Sequence, residues 1–477
     1  MSESLEFGKD LQVTKTNIPG LLIVDLPVHG DSRGWFKENW QREKMVALGL
    51  ADFKPVQNNI SFNAGKGVTR GIHAEPWDKY VSVGGGRIFG AWVDLREGDS
   101  FGQTFSIEVD PSKAIFVPRG VGNAFQALED NTVYTYLVTD HWSQESVPLY
   151  TFVNLADETA NISWPIPLDQ AELSDKDKAH PRLADVTPMK PRKILVTGSN
   201  GQLGTALKHT FPGAEFVDRE EFDITNPAAY KERNWRQYST IINAAAYTAV
   251  DSAETPEGRA AAWGINATAV RNLARVAADN DITLVHVSSE YVFDGTKSPH
   301  VEDEPFTPLG VYAQAKAAGD IAASLTPKHY TVRISWAIGQ GNNFVKTMKM
   351  LADKGVKPSV VNDQTGRLTF TSTVADAIKH LLDAAAPFGT YNVSNEGDSV
   401  SWADIAKEVY SLTGASPEDV TPVTTAEYYR GKENISPRPL SSTMDLSKIK
   451  ATGFDPTNWR DELSSYIEGL KSTDSTQ

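Results

Sequence analysis

The first third of the chain alternates apolar and polar residues with a period of two, which is typical of strands that bury one face. FSIEV at 105–109 places its three apolar residues on one side and its two polar residues on the other. TVYTYLV at 132–138 alternates in the same way, and Gly-rich turns such as NAGKG at 63–67 separate the runs. Between about residues 11 and 164 the pattern therefore predicts an antiparallel all-β domain, a sandwich or a barrel.

After residue 192 the pattern changes to short apolar runs that alternate with stretches of helical period. The runs KILVTG, EFVD, TIINAAAY, TLVHVSSEYVF and TVRIS are suited to buried parallel strands. Alternating strands and helices predict a right-handed, mostly parallel sheet covered on both faces, an α/β Rossmann-type doubly wound fold. Three stretches, KPSVVNDQTGR, GTYNVSNEG and ENISPRPLSST, predict a small substrate lobe. Helices are expected at 257–279, 313–325, 343–353, 372–385 and 401–413.

The two patterns define two domains, which is consistent with the length of 477 residues. We expect a β-rich domain over 1–167 and a Rossmann-type domain over 192–477. The residues between them, 168–191, are rich in Pro, Asp and Lys and have no sustained period, so they predict a linker.

Composition narrows the possible functions. A net charge of -15 argues against nonspecific nucleic-acid binding, and no apolar run is long enough to cross a bilayer. Because the chain has no cysteine, disulfides and thiolate chemistry are excluded. The N-terminal sequence has no export signal, so a cytoplasmic location is expected.

The stretch RKILVTGSNGQLGTALKH predicts a nucleotide-binding strand, turn and helix. Gly198, Gly201 and Gly204 allow a sharp turn and a close approach of pyrophosphate to the helix N-terminus. Asp218 lies twenty positions beyond Gly198, where a ribose-binding carboxylate is expected. Because Asp218 favours a free 2′-hydroxyl and the adjacent Arg219 favours a 2′-phosphate, both NADH and NADPH remain open.

Tyr312 and Lys316 are four residues apart on a predicted helix and therefore project from one face. An ammonium near a phenol lowers the phenol pKa from its ordinary value of about 10, which would favour proton exchange. The preceding strand ends in Ser288 and Ser289, whose hydroxyls could hydrogen-bond a carbonyl. Together with a nucleotide-binding turn, these residues predict carbonyl reduction.

The second half resembles the extended short-chain dehydrogenase/reductase superfamily, and within it the dTDP-4-dehydrorhamnose reductases. The matching segments are VTGSNGQLG, FDIT, NAAAYTAVDSAE, VSSEYVFDG, YAQAK, RISWAIG, NDQTGR and SPRPLSS. The resemblance implies that Tyr312 donates a proton to the sugar carbonyl, Lys316 holds the nicotinamide ribose and Ser289 hydrogen-bonds the carbonyl. It also implies cofactor contacts at Gly198, Asn200, Gly201, Gln202, Leu203, Gly204, Asp218, Arg219, Asp223, Ile224, Ala244 and Ala245, and sugar contacts at Thr248, Val250, Trp336 and Arg438. The chain departs from the family at Ser289-Glu290, which replaces Thr-Asp, and at Arg367 and Leu368, near which the family has Pro-Thr.

In the first half, His73 follows a Gly-rich turn, where it is a candidate base or a structural histidine. Arg33, Arg70 and Lys79 are candidate anion-binding groups or surface charges. Tyr136 fits either a site or core packing.

The order of DSRGWFKE, VQNNIS, GVTRGIH, GRIFGAWVDLREG, IFVPRGVGNAF, TVYTYLV and ISWP resembles dTDP-4-dehydrorhamnose 3,5-epimerases, which have a cupin-like jelly roll. The resemblance implies His73 as the base, Asp157 as its orienting carboxylate, Tyr136 as the proton donor and Lys79 as the enolate stabiliser. It places Arg33 and Arg70 on the diphosphate, and substrate contacts at Phe36, Glu38, Gln57, Asn59 and Asn123. The chain departs from the family at Asn123, which replaces a histidine, and at Ala74 and Glu75.

The sequence therefore predicts a bifunctional enzyme that epimerises carbons 3 and 5 of dTDP-4-dehydro-6-deoxy-D-glucose and then reduces carbon 4 with NADPH or NADH. Two alternatives are a reductase with a non-catalytic sugar-binding domain and a non-enzymatic regulatory protein. No metal-ligand site is expected, and a magnesium requirement is open. The resemblance to jelly-roll epimerases implies a homodimer through the N-terminal domain, with no nucleic-acid or membrane partner.

Overall fold

The computed structural model describes Leu5 and residues 7–474. The chain divides into two compact units, residues 1–191 and 192–477, which are described separately below. Within the described residues, no helix combines the length and the apolar character needed to cross a membrane.

The first unit is built mainly of antiparallel strands. They are β1 Gln12–Lys15, β2 Leu22–Asp25, β3 Val28–Asp31, β4 Gly34–Lys37, β5 Gln57–Asn63, β6 Thr69–Ala74, β7 Lys79–Gly85, β8 Ile88–Asp94, β9 Thr104–Val109, β10 Lys113–Val117, β11 Val121–Ala127, β12 Thr132–Val138 and β13 Thr151–Phe152. Two short helices accompany them, α1 Arg42–Ala47 and α2 Asp175–Lys178, with 3₁₀ turns at Gln144–Leu149 and Leu183–Asp185.

Two sheets face each other across one apolar core. The larger has the order β1-β2-β10-β7-β12-β5 and the smaller β13-β6-β11-β8-β9, while β3 and β4 form a separate hairpin. The core joins side chains of the larger sheet, such as Val81 and Ile115, to side chains of the smaller one, such as Trp92 and Phe125. The alternation in FSIEV is confirmed, because Phe105 and Ile107 pack on this core while Ser106 and Glu108 are exposed. The predicted antiparallel sandwich is thus observed.

The segment 168–191, for which the sequence predicts a linker, is packed against the first unit. Leu183 and Met189 are buried in a core with Ile72, and Met189 also bridges to Arg96 through the backbone. The sequence pattern missed this packing because the segment holds only the four residues of α2 and one 3₁₀ turn. Elements that short have no measurable period, and tertiary contacts hold them in place.

The second unit is organised around a six-stranded parallel sheet. The strands of the whole unit are β14 Lys193–Thr197, β15 Glu215–Val217, β16 Tyr238–Asn243, β17 Thr283–Ser289, β18 His329–Ile334, β19 Ala337–Ile338, β20 Ser359–Val361, β21 Thr365–Gly366, β22 Thr369–Phe370, β23 Gly389–Asn392, β24 Val400–Ser401 and β25 Thr421–Val423. Six of them form the large sheet, and the others form the two-stranded sheets β19-β22, β20-β25 and β21-β24. The large sheet has the order β15-β14-β16-β17-β18-β23, and its pairs are parallel. The order reverses at β14, and ligands of such sheets bind outside the carboxyl ends of the strands at this point.

Helices cover both faces of this sheet. The helices of the second unit are α3 Gln202–Thr210, α4 Pro227–Glu232, α5 Pro256–Trp263, α6 Val270–Asp279, α7 Val311–Ser324, α8 Phe344–Asp353, α9 Thr371–Asp383, α10 Trp402–Thr413, α11 Thr425–Tyr428, α12 Ser447–Ala451 and α13 Trp459–Asp474. Val196 of β14 packs on one face with α3 and α9, whereas the adjacent Leu195 packs on the other face with α6. This three-layer arrangement is the predicted Rossmann-type architecture.

A separate apolar core supports the predicted substrate lobe. Val345 of α8, Ile405 of α10 and Leu463 of α13 are all buried in it. The helices predicted at 343–353, 372–385 and 401–413 coincide with α8, α9 and α10 to within two residues at each end. The long helix predicted at 257–279 is divided into α5 and α6 by a π-helical segment at Gly264–Ala269.

Candidate active sites

The glycine-rich turn of the second unit depends on close backbone packing. Gly198 directly follows β14 with φ +72°, and a Cβ there would lie 2.6 Å from the Ala245 nitrogen. A Cβ on Gly204 would lie 2.2 Å from the Gly198 oxygen. Any side chain at either position would therefore push the turn away from β16 or from α3. The turn lies at the carboxyl ends of β14 and β16, the place expected for a nucleotide.

The amino end of α3 provides donors suited to phosphate. Gly201 is the N-cap and has no side chain, so no N-cap side chain occupies the N–H groups of the first turn. Asp218 is tied to the same turn, because its two carboxylate oxygens accept the backbone N–H groups of Asn200 at 3.0 Å and of Arg219 at 2.8 Å. The Arg219 side chain is exposed and lies 3.6 Å from Asp223. The free N–H groups and Asp218 are therefore suited to the pyrophosphate and ribose of a dinucleotide. Arg219 is an exposed positive charge next to Asp218.

Among the other predicted cofactor residues, some side chains are buried in the cores and others hydrogen-bond to neighbouring residues. The side chains of Leu203 and Ile224 are buried in apolar cores on opposite faces of the sheet, so only their backbones could reach a nucleotide. Ala244 directly follows β16 beside the turn. The Gln202 side chain donates to the Asn342 carbonyl, and the Asp223 carboxylate accepts the N–H and hydroxyl of Thr225.

The structure brings Tyr312, Lys316 and Ser289 together. Tyr312 and Lys316 lie one turn apart on α7 and are both buried. The Lys316 Nζ donates to the Val287 carbonyl of β17 at 2.7 Å, which fixes the ammonium beside the strand that ends in Ser289. The hydroxyl of Ser289 is hydrogen-bonded to the Tyr312 phenol and also donates to Glu290 Oε2 at 2.8 Å.

Burial controls the ionisation of this cluster. It raises the pKa of Tyr312 above its ordinary value, and Glu290 raises it further, while the hydrogen bond with Ser289 opposes both. Burial also lowers the pKa of Lys316 to about 8, with Asp320 opposing the shift. The sequence-based expectation of a lowered tyrosine pKa is therefore wrong for this structure, because Lys316 bonds the Val287 carbonyl and the phenol is desolvated. A phenol that stays protonated at neutral pH is in the form that donates a proton.

Glu290 is a functional candidate that the sequence reasoning did not select. Its side chain is buried, and burial raises the pKa of its carboxyl to about 7, although hydrogen bonds from Ser289 and Ser442 oppose this. The only sequence signal was the departure Ser289-Glu290, which marked the position without revealing its burial.

The predicted sugar-binding residues occupy different surroundings. Val250 packs against the cluster that includes Tyr312, and Thr248 is exposed nearby in the chain. Trp336 stacks on Trp402 with ring centroids 3.8 Å apart. Arg438 pairs with Asp251, with Nη2 2.9 Å from Oδ2, so its guanidinium already has an anionic partner.

The departures at Arg367 and Leu368 have structural explanations. Leu368 is fully buried in the core of the substrate lobe, and Arg367 donates to the Met444 carbonyl. Both residues therefore hold the lobe together.

In the first unit, the side chain of His73 on β6 lies against a carboxylate. Its Nε2 is 2.9 Å from Oδ1 of Asp177, a buried residue of α2. Although burial raises the pKa of Asp177, the hydrogen bond and charge of His73 lower it below its ordinary value overall. The sequence reasoning missed Asp177 because it lies in the segment taken for a linker.

The assignment of Asp157 as the carboxylate that orients His73 is wrong. Oδ1 of Asp157 accepts the N–H groups of Thr159 and Ala160 at 2.9 and 2.8 Å, and Oδ2 accepts that of Leu183 at 2.8 Å. Its oxygens therefore close a loop and attach the segment that follows α2.

A pocket of the first unit is lined by three of the predicted epimerase residues, Gln57, Asn59 and Tyr136. Lys79 is buried, with Nζ 2.7 Å from Glu75 Oε1 and 5.4 Å from the Tyr136 ring centroid. Burial and the Glu75 charge raise the pKa of Tyr136 to about 12. The residues lining the pocket are Gln57, Asn59, Glu75, Trp77, Tyr136, Val138, Trp142 and Tyr150.

Stacked rings connect this pocket to His73. Tyr150 stacks on Phe152 at 5.7 Å, and Phe152 meets His73 edge-on at 5.4 Å. Glu75 was noted in the sequence only as a departure, and its pairing with Lys79 depends on the fold.

Other predicted residues are not among those that line this pocket in the described part of the chain. The Asn123 amide is buried and bonded to Trp92 Nε1 at 2.9 Å and to the Tyr134 hydroxyl at 3.0 Å, so its oxygen and nitrogen serve the core. Arg70 is exposed and donates to Asn63 at 3.2 Å. Arg33, Phe36 and Glu38 lie on or just after the β3–β4 hairpin, and none of them lines the pocket within the described part of the chain. Arg33 pairs with Asp31, Glu38 pairs with Lys44, and Phe36 is exposed.

Comparison with known families gives a match for each unit. The model described as RmlD substrate binding domain matches residues 192–472, and the model described as dTDP-4-dehydrorhamnose 3,5-epimerase matches residues 15–185. The chain belongs to both families. The 3,5-epimerase match extends through α2, so the family region includes Asp177 as well as His73.

Individual relatives cover each half almost completely. The 3,5-epimerase half is 52% identical over 182 residues to a protein named RmlC homolog from Streptococcus pyogenes serotype M6, spanning 37% of this chain and 91% of the relative. The RmlD half is similar to a solved dTDP-4-dehydrorhamnose reductase from Clostridium acetobutylicum, with 36% identity, TM-score 0.54, and coverage of 58% of this chain and 99% of that one. A reductase of Bacillus anthracis solved in complex with NADP is 32% identical, with TM-score 0.53 and coverage of 58% and 98%.

Proposed function

We propose that the chain carries out two consecutive steps in the formation of dTDP-L-rhamnose. The first unit epimerises carbons 3 and 5 of dTDP-4-dehydro-6-deoxy-D-glucose, and the second reduces the ketone at carbon 4. The main support is that this one chain brings together reactive groups for both reactions. His73 lies against Asp177 in the first unit, and Ser289, Tyr312 and Lys316 lie together in the second.

In the epimerase step, His73 acts as the base. The hydrogens on carbons 3 and 5 flank the ketone, so their removal gives an enolate. When Nε2–H of His73 donates to Asp177, the second ring nitrogen keeps the lone pair that takes the proton. The Asp177 carboxylate then stabilises the imidazolium that forms, and it also orients the ring.

Tyr136 and Lys79 complete the epimerase step. Because the pKa of Tyr136 is raised to about 12, its phenol is protonated at neutral pH and can return a proton to the opposite face of the enolate. Lys79 stabilises the enolate oxygen, and Glu75 holds the Lys79 ammonium in place at 2.7 Å. Tyr136 and Glu75 line the same pocket, and Lys79 is held beside them, with its Nζ 2.7 Å from Glu75 Oε1 and 5.4 Å from the Tyr136 ring centroid. These contacts support a joint role for the proton donor and the cation.

In the reductase step, the cofactor is NADPH, which supplies a hydride when bound. The glycine turn and the amino end of α3 would hold its pyrophosphate, and Arg219 would bind its 2′-phosphate. Tyr312 donates a proton to the carbonyl oxygen, and Ser289 orients that oxygen through its hydroxyl. Lys316, fixed by the Val287 carbonyl, would bind the ribose.

The pathway product tests this function. Purified chain supplied with dTDP-4-dehydro-6-deoxy-D-glucose and NADPH is expected to release dTDP-L-rhamnose. Absence of the product would contradict the proposal. In D₂O without cofactor, deuterium should enter carbons 3 and 5, whereas no incorporation would favour a non-catalytic first unit.

We also propose a homodimer through the first unit, which we assign to the cupin-like jelly-roll class. β5 is an edge strand of the larger sheet, and it exposes 69% of Ile60 and 59% of Phe62. Phe36, in β4 of the separate β3–β4 hairpin, is also 65% exposed. A sheet edge with exposed apolar side chains is suited to pairing with a second copy. Light scattering should give a mass twice that of the 52.1 kDa chain, and Ile60→Asp should reduce the measured mass to that of one chain.

We further propose that residues 1–191 and 192–477 fold as separate domains and that the protein acts in the cytoplasm. The division of the chain into two compact units supports the first proposal. The absence of cysteine and the use of NADPH support the second.

A further inference from the structure

Next to the proposed base lies a second histidine that the epimerase step does not use. His180 follows α2, three residues after Asp177, and its Nε2 is 3.9 Å from Asp177 Oδ1. His73 Nε2 is 2.9 Å from the same oxygen, and the His73 and His180 ring centroids are 5.3 Å apart. One potential ligand atom from each of the three residues falls within 4.8 Å of the others. Two imidazoles and a carboxylate therefore converge on one point.

The surroundings of His180 indicate a missing partner. Its side chain is only 7% exposed, and Phe152 stacks on the ring at 4.7 Å. Neither ring nitrogen makes a hydrogen bond of good geometry with the described residues. Burial, followed by the charge of His73, lowers the pKa of His180, whereas Asp177 and the nearby Gly71 backbone oppose this shift. A buried polar group without a good partner destabilises the folded state, so a buried imidazole beside a carboxylate is suited to a ligand.

We propose that His73, Asp177 and His180 bind a divalent transition cation, with Zn²⁺ as the best match. Two histidines and one carboxylate are a ligand set that zinc uses in proteins, with a further position left to solvent. A tetrahedral zinc site places its ligand atoms about 3.3 Å apart, which lies between the 2.9 and 3.9 Å separations from Asp177 Oδ1. Small side-chain rotations would therefore form the site, and the 33% exposure of His73 leaves it accessible.

One nearby charge opposes cation binding. Lys176 Nζ lies 5.6 Å from the Phe152 ring centroid, on the ring that stacks on His180. A hard ion such as Mg²⁺ prefers oxygen ligands and would gain little from two imidazoles. Zinc and its neighbours in the first transition row bind imidazole strongly enough to overcome the lysine. The site should therefore discriminate between Zn²⁺ and Mg²⁺.

Occupancy would inhibit epimerisation, and this consequence rests on the proposed function. Zinc at His73 Nε2 would displace the single ring proton shared with Asp177. In the neutral imidazole that binds zinc, this proton occupies the lone pair of the other nitrogen, the atom proposed to remove hydrogens from carbons 3 and 5, so no net proton is released. Without that lone pair His73 cannot act as the base, so zinc would be a reversible inhibitor of the first unit alone.

Equilibrium dialysis of the full chain against Zn²⁺ tests the site directly. We expect a saturable zinc equivalent that His180→Ala and the more conservative His180→Gln both lose. His141→Ala, which removes an exposed histidine elsewhere in the first unit, should keep it. No saturable binding, or the same binding in both His180 variants as in the unmodified chain, would overturn the proposal.

Deuterium incorporation into the sugar provides the second measurement. Zinc should suppress exchange in the unmodified chain and in His141→Ala, and a chelator should restore it. Exchange in the His180 variants without metal shows that they are folded, and zinc should no longer inhibit them. NADPH oxidation on sugar that is already epimerised should not respond to zinc. Exchange that continues in unmodified chain with bound zinc would overturn the inhibitory role.

Discussion

Burial determines the chemistry of individual residues in the reductase site. Tyr312 keeps its proton because the phenol is desolvated and lies near Glu290, even though Lys316 is on the same helix face. The sequence revealed the residue types and their spacing, but ionisation depends on which atoms surround each group. Lys316 forms its hydrogen bond with the Val287 carbonyl, a contact that spacing along α7 cannot reveal.

Glu290→Gln should remove a pH-dependent loss of stability. The ordinary pKa of this carboxyl, 4.5, applies to the unfolded chain, whereas burial raises it to about 7 in the folded state. The folded state thus holds the proton more tightly, and its stability falls as pH rises from 4.5 to 7, by about 3 kcal/mol. At pH 8 the variant should be more stable than the unmodified chain. Near pH 4.5 this advantage in stability should be much smaller. Urea unfolding of the second unit at both pH values measures this difference, and an equal difference at both would contradict the assignment.

Asp177→Asn and Asp157→Asn form a matched pair of variants. The first removes the charge beside His73 and should slow deuterium exchange at carbons 3 and 5 by roughly 10²-fold to 10⁴-fold. The second replaces an oxygen that accepts the Leu183 N–H, so it should cost about 1–3 kcal/mol of stability and leave exchange per folded molecule nearly unchanged. Exchange rates and unfolding midpoints of both variants check this. The reverse pattern would restore Asp157 as the orienting carboxylate.

Arg219→Ala should weaken NADPH more than NADH. The exposed guanidinium is proposed to bind the 2′-phosphate, and a charge-assisted hydrogen bond contributes about 1.5–3 kcal/mol, or roughly 10-fold to 100-fold in KM. Lys231→Ala removes an exposed positive charge from α4 and serves as the control. Initial rates with both cofactors decide the matter, and an equal change in the two KM values would argue against a 2′-phosphate contact.

At the scale of elements, long periodic segments were predictable and short ones were not. Helices α8, α9 and α10 match their predicted ranges closely, because helices of ten or more residues carry a clear apolar face. The glycine turn and the Tyr312–Lys316 pair also follow from local spacing. α2 escaped prediction because it has four residues, and its position depends on Leu183 and Met189 packing in a core with Ile72. Asp177 and His180, which lie on and after it, were missed for the same reason.

Two truncations test the role of this segment. A fragment ending at residue 191 should catalyse deuterium exchange, whereas one ending at 167 should not. The shorter fragment lacks Asp177 and also loses buried Leu183 and Met189, each worth about 1.5–3 kcal/mol. Exchange assays and circular dichroism of both fragments give the answer. Full activity in the shorter fragment would show that 168–191 is a linker after all.

At the scale of the whole molecule, two families are joined in one chain, and the product of one proposed site is the substrate of the other. Tethering two sites raises the local concentration of a shared intermediate, up to about the mM scale for a short connection. Family membership in each half was predictable from ordered motifs, because several segments in sequence are far more specific than any one of them.

Separate inactivation of the two sites tests the division of labour most directly. Tyr312→Phe removes the phenol proton and should slow reduction by roughly 10²-fold to 10⁴-fold, while deuterium still enters carbons 3 and 5. His73→Ala should abolish that exchange and leave NADPH oxidation intact on sugar supplied already epimerised. Both reactions are followed on the full chain, exchange by mass spectrometry and NADPH by absorbance. If Tyr312→Phe also stopped exchange, or if His73→Ala left it intact, two independent active sites would be contradicted.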